Sequence, residues 1–202
     1  MAIKEQKTET APLTWTEFET LLSKLTYAVQ VGGETSLYRF LVFAAVATFC
    51  GLRAGDVLRL KWSDLLNKTS ILVKEGKTGK VREIALNQKL QEILQLSHHL
   101  ASPTSTDHFI VPSTSSAGLK PMSLQYMNRW VKIVFDRFGV AAQNASTHAF
   151  RKTFGRRVYD MNHRSEDALI TLSHIFNHSS VSITRGYIGL KREKIADVYM
   201  AI

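Results

Sequence analysis

The chain has 202 residues, 45% of them hydrophobic, enough for one large or two small globular domains with a real core. A single cysteine, Cys50, excludes an intramolecular disulfide and any multi-cysteine zinc site, and its place on an apolar segment reads as a buried thiol. The 26 Lys and Arg against 17 Asp and Glu give a formal charge of +9, which points first to nucleic acid as partner, although a basic balance alone also serves solubility.

Residues 1–11 read as a polar tail of mixed charge without the apolar segment of a secretory signal, which makes a cytoplasmic protein the expectation. Thr14-Trp15-Thr16-Glu17 has the form of a capping box, opening a helix with Trp15, Phe18, Leu21, Leu22 and Leu25 on one face. After the loop VGGET, the run Phe40 to Cys50 reads as a buried core helix ending near Gly51. It is too short to span a bilayer, and no membrane partner is expected. A short amphipathic helix from Gly55 to Leu60 follows.

Ile71-Leu72-Val73 and Val81 to Leu86 are strand-like runs joined by EGKTGK, a β-hairpin with lysines at its tip. Asn87 caps a helix bearing Leu90, Ile93, Leu94 and Leu100, and Ser, Thr and Pro then mark a loop from Ala101 to about Pro121, with Phe109-Ile110-Val111 as a short extended piece. From Ser123 to Phe138 the stripe Met127, Trp130, Val131, Val134, Phe135 and Phe138 defines a core helix before Gly139. Three more helices are predicted: His148 to about Met161, Asp167 to about Phe176, and one near Arg192 to Tyr199. No glycine-rich phosphate loop follows a strand, which argues against a nucleotide-binding α/β sheet. The fold class is mainly α with a small β-hairpin, an α+β arrangement.

Two stretches carry candidate chemistry. In Thr147-His148-Ala149-Phe150-Arg151, His148 and Arg151 project from one side of a helix near its start, where free amides favour a phosphate; a solvated basic face is the competing reading. In TFCGLRAGDVLRLKW, Arg53 follows an apolar helix and Asp56 stands three residues on, a spacing that predicts an Arg53–Asp56 pair, either functional or structural. His174 and His178 are four apart, but the glutamate of a metalloprotease HExxH is missing, so no metal site is assigned. His98, His99, His108 and His163 read as surface histidines.

Taken together, GLRAGDVLRLKWSDL, GKTGKVREIAL, HAFRKTF and NHSSVSITRGYIG resemble the successive motifs of the tyrosine recombinase (phage integrase) catalytic domain, in that family's order, over roughly Leu13 to Tyr187. The resemblance implies that fold and a reaction that cleaves and rejoins DNA through a covalent 3′-phosphotyrosyl intermediate, with neither metal nor ATP and no cofactor. It implies that Arg53 and Arg151 clamp the phosphate, Lys77 is the hairpin lysine, His148 and His178 complete the site and Tyr187 is the nucleophile. Asp56 stands where the family has an acidic residue supporting the first arginine.

Chemistry then suggests His148 as proton acceptor and Lys77 as general acid, with Lys80 as local rival. Lys80, Arg82, Lys152 and Arg185 are the candidates for DNA-backbone contact. Two departures stand out: Asn177 where the family commonly has glycine, and a longer segment between Arg151 and His178. The expected layout is a tail (1–11), a catalytic domain (12–190) and a C-terminal helix (191–202) with Ile195, Val198, Tyr199 and Ile202 on an apolar face for self-assembly on DNA, dimer to tetramer. The family's usual amino-terminal core-binding domain is not in evidence, so the sequence reads either as a fragment or as a short, catalytic-domain-only integrase. The rival functions are topoisomerase IB-like or resolvase activity and a non-catalytic DNA-binding remnant.

Overall fold

A computed structural model describes residues 10–77 and 79–201, with backbone only at residues 192–194 and 196. The N-terminal tail through residue 9 and Ile202 of the expected apolar face lie outside the described residues. The helices are α1 (Trp15–Gln30), α2 (Tyr38–Phe49), α3 (Ala54–Val57), α4 (Trp62–Leu65), α5 (Gln88–Ala101), α6 (Leu124–Phe138), α7 (His148–Met161), α8 (Glu166–Phe176), α9 (Val181–Tyr187) and α10 (Leu190–Met200). Between α4 and α5, β1 (Ser70–Lys74) and β2 (Val81–Ala85) pair antiparallel, with Ile71 opposite Ile84 and Lys74 opposite Val81.

Helix α2 is the axis of the core. Every side chain from Phe40 to Ala47 is buried, and α1, α5 and α7 pack around it. An all-round apolar helix is stable in water only when enclosed in this way. Phe150 meets Phe40, Phe43 and Phe135 edge-on at 5.7–6.0 Å, which fixes the first turn of α7, and with it His148 and Arg151, against the core. A second cluster of Leu169, Leu172, Phe176 and Ile188, flanked by Phe154, Val158 and Tyr187, seats α8 and α9 on the outer side of α7.

Local signals set the helix ends. Thr14 and Glu17 form the reciprocal capping box of α1, Asn87 Oδ1 accepts from Leu90 N in α5, and Ser123 Oγ accepts from Tyr126 N in α6. Gly139 ends α6 with φ 70°. The 102–123 connection runs over the surface except at Ile110 and Val111, which are fully buried, and Met122, which is nearly so, and it is pinned by single bridges from Lys61 to Phe109 and from Pro112 to Pro121. No helix among the described residues is long and apolar enough to cross a membrane.

Candidate active site

The site is organised by the C-terminus of α8. Asn177 caps that helix in the left-handed region (φ 54°, ψ 49°), and the His178 amide donates to Ser173 O. The carbonyls of Ile175 and Phe176, at the negative end of the helix dipole, are left to side-chain donors. Three arginines supply them: Arg82 Nη1 donates to Ile175 O at 2.5 Å, and Arg53 Nη2 (3.0 Å) and Arg151 Nη2 (3.3 Å) both donate to Phe176 O. One carbonyl thus brings together two guanidinium groups from segments 98 residues apart, despite their mutual repulsion.

Each arginine is fixed a second time. Arg151, almost fully buried, donates through Nη1 to Gly51 O at 2.5 Å and stacks over the Phe176 ring at 4.4 Å. Gly51 has φ 60°, and a Cβ there would run into the Phe154 ring, so this carbonyl depends on glycine. Burial, opposed by Tyr187 and Glu75 and helped by the Arg53 and Arg82 charges, lowers the Arg151 pKa to about 10. Arg151 therefore remains cationic at neutral pH.

Arg53 is held by Glu75, Nη1 to Oε2 at 2.6 Å, and Arg82 Nε lies 3.4 Å from the other oxygen of the same carboxylate. This corrects the expected Arg53–Asp56 pair. Arg53 is the extended residue before α3, so helical three-residue spacing does not aim its side chain at Asp56. Asp56 instead accepts from Arg59 and from the amide of Gly76 (2.9 Å), which ties α3 to the hairpin turn. Sequence reasoning missed Glu75, although a signal was present: with Ile71 and Val73 buried, strand alternation sends Glu75 inward too, and it is 1% exposed.

His178 shares a hydrogen bond with Thr184 through Nδ1 (2.9 Å), which leaves Nε2 as the nitrogen able to meet a phosphate. Burial, then the charges of Arg151, Arg53 and Lys77, push its pKa below the ordinary imidazole value. Thr184 and Tyr187 lie three apart on α9, and the Tyr187 ring meets His178 at 5.2 Å and Phe176 at 5.3 Å, both edge-on. His148 opens α7 at the exposed mouth of the site. Partial desolvation and then the Lys152 and Arg151 charges hold its pKa down. Lys77 is exposed at the hairpin tip, within electrostatic reach of His178. The six expected residues are thus placed around one site, whereas His174 faces solvent.

The expected backbone contacts divide. Lys152 is buried, with Nζ 5.1 Å from the Tyr187 ring centroid, and Arg82 is turned to Glu75 and Ile175 O, so both side chains point inward. The reason is that α7 is enclosed on almost every side between residues 149 and 155 and β2 lies against the end of α8. Lys80 is exposed and donates to Asn177 Oδ1 at 2.7 Å, and Arg185 is half-exposed and paired with Glu166. Asn177 therefore does two things: it accepts the left-handed cap that a glycine would fill, and it ties the hairpin to α8.

Comparison with known proteins agrees with this geometry. The phage integrase family model matches residues 12–194. The chain is 32% identical to the probable integrase/recombinase YoeC of Bacillus subtilis, over 73% of this chain and 76% of that protein. It is 26% identical to the tyrosine recombinase XerD of Brucella abortus over 72% of this chain, spanning about half (46%) of that relative's length. In fold it resembles the XerH site-specific recombinase, solved bound to palindromic difH substrate in a post-cleavage complex: TM-score 0.68, 19% identity, 99% of this chain and 56% of that one. Motif order, the gathering of those motifs around the end of α8 and the family match agree, and the chain belongs to the phage integrase family.

Proposed function

We propose that this chain is the catalytic part of a site-specific DNA recombinase or integrase acting on double-stranded DNA in the cytoplasm. The observation that carries the reading is the convergence of Arg53 and Arg151 on Phe176 O, beside His178 and Tyr187. Two forks fixed in advance can receive the nonbridging oxygens of a phosphodiester and stabilise the charge that grows there in the transition state. The Tyr187 oxygen attacks phosphorus and its proton passes to neutral His148. As the bond from phosphorus to the 5′ oxygen breaks, Lys77 protonates that oxygen. The product is a 3′-phosphotyrosyl bond, which a 5′ hydroxyl reverses without external energy. The lowered pKa of His148 keeps it in the proton-accepting form at neutral pH.

The test is capture of a covalent adduct on a pool of nicked duplexes with randomised cores, in which release of a short 5′ fragment traps the intermediate, followed by peptide mapping. An adduct at Tyr187 supports the reading. Binding without an adduct would favour a non-catalytic DNA-binding protein, and relaxation of supercoils without sequence preference a topoisomerase-like activity. Lys77→Ala is expected to slow cleavage of ordinary DNA by about 10²–10³-fold while sparing duplexes with a bridging 5′ sulfur, a leaving group that needs no proton. Equal losses on both would remove Lys77 from the acid role.

Self-assembly on DNA, dimer to tetramer, belongs to the same proposal. On α10, Ile195, Val198, Tyr199 and Met200 are 50–87% exposed, more apolar surface than so short a helix keeps uncovered without purpose. Removing residues 193–202 is expected to abolish the higher-order complex on DNA in sedimentation, while single-site binding survives.

A further inference from the structure

Lys152 is a buried charge that the scheme above does not use. It is 4% exposed in the second turn of α7, four residues after His148, and its Nζ lies 5.1 Å from the centroid of the Tyr187 ring. Enclosing an ammonium is costly unless something nearby favours the positive charge, and an aromatic face at that distance does so. We propose that Lys152 is a positioning residue for the nucleophile: its ammonium holds the Tyr187 ring in the site and favours negative charge on the phenolic oxygen as the bond to phosphorus forms. The inference rests on Tyr187 being that nucleophile.

The surroundings give this one cation an outsized effect. Tyr187 is faced from α7 by Lys152 and Arg151 and from the turn after α8 by His178, and Arg53, Arg82, Glu75 and Lys77 stand around Arg151 and His178. The described charges of α10, Lys191 and Asp197, line a separate pocket with Arg156, Arg164 and Arg185. Glu75 is already engaged by Arg53 and Arg82. After partial desolvation, the Lys152 charge also holds the His148 pKa down, with Arg151 behind it. One side chain thus acts on donor and acceptor of the same proton: it makes the Tyr187 hydroxyl a better donor and keeps His148 unprotonated, though a weaker base.

The experiment uses the same randomised nicked pool with Lys152→Met, which keeps length and removes charge, Lys152→Gln as a second neutral variant, and Lys152→Arg, which restores a cation. Adduct formation by the neutral variants is expected to fall about tenfold at pH 7, and the rising limb of the pH–rate profile to move to higher pH, because His148 loses a charge that holds its pKa down. DNA affinity should stay within about twofold, and Lys152→Arg should recover most of the rate. A slower rate with an unmoved profile would make Lys152 a packing residue. An unchanged rate with a salt slope reduced by about 0.9 would make it a contact to one phosphate. Either result overturns the proposal. Tyr187→Phe run in parallel separates the levels: an adduct surviving in that variant removes the nucleophile itself, whereas its loss beside native behaviour in Lys152→Met removes only the role given to Lys152.

Discussion

Replacing Tyr187 with Phe is expected to eliminate the covalent protein–DNA adduct, a loss of at least about 10⁴-fold, while DNA affinity changes by less than about twofold. The asymmetry follows from what the ring and the hydroxyl each do. The ring packs edge-on against Phe176 and His178 and lies under the Lys152 ammonium, and Phe reproduces all of these contacts. The small cluster that seats α8 and α9 should therefore persist, and the melting temperature with it. In the proposed reaction the hydroxyl alone carries the attack. A structural aromatic would behave oppositely, since its removal to Phe would leave activity nearly intact. An adduct of native yield in Tyr187→Phe would shift attention to Tyr159, which packs beside the same cluster, or to Tyr199, which is 75% exposed on α10. Peptide mapping of the adduct distinguishes these tyrosines directly.

The sequence made some elements easy to read and others hard, for physical reasons. Helix α6 was legible because its buried residues form one apolar stripe and its ends carry Ser123 and Gly139. The hairpin was legible because two glycines punctuate it. Helix α9, which carries Tyr187, was not: Val181-Ser182-Ile183-Thr184-Arg185-Gly186 is rich in β-branched residues and glycine, poor helix formers, and the segment holds its shape through the Ser180 cap and the burial of Thr184 and Ile188. Lys152 and Arg82 are harder to read, because a charge followed along the chain is assumed to face water, whereas here α7 is buried around Lys152 and the Arg82 side chain turns to Glu75 and the end of α8. Asn177 was recognised as a departure from glycine, but its left-handed conformation and its bond to Lys80 depend on where the hairpin folds back. Family motifs pointed to the candidate site; which carboxylate pairs with Arg53 depends on the tertiary structure.

That carboxylate is the subject of the second large expected effect. Glu75→Ala should destabilise the protein by about 3 kcal/mol and lower adduct formation by about a hundredfold or more. Glu75 is 1% exposed and faces both Arg53 and Arg82, whose side chains keep 23% and 19% of their surface in water. Removing it leaves two clustered guanidinium groups without their shared anion, next to the Arg151 cation. Partial solvation of Arg53 and Arg82 places the cost at the lower end of the range for a broken buried pair. Glu75→Gln should fall between, keeping an acceptor for Arg53 but not the charge. Asp56→Asn supplies the contrast: Asp56 serves Arg59 and the Gly76 amide, so its loss should loosen the hairpin turn and reduce cleavage by less than about tenfold. Urea denaturation and adduct kinetics on the three variants measure both effects. If Asp56→Asn lost more cleavage than Glu75→Gln, the support of Arg53 would return to Asp56. With the expected order, hairpin and arginine clamp are one unit: the strand end that turns toward Lys77 also carries the anion that aims Arg53, so hairpin position and phosphate binding change together.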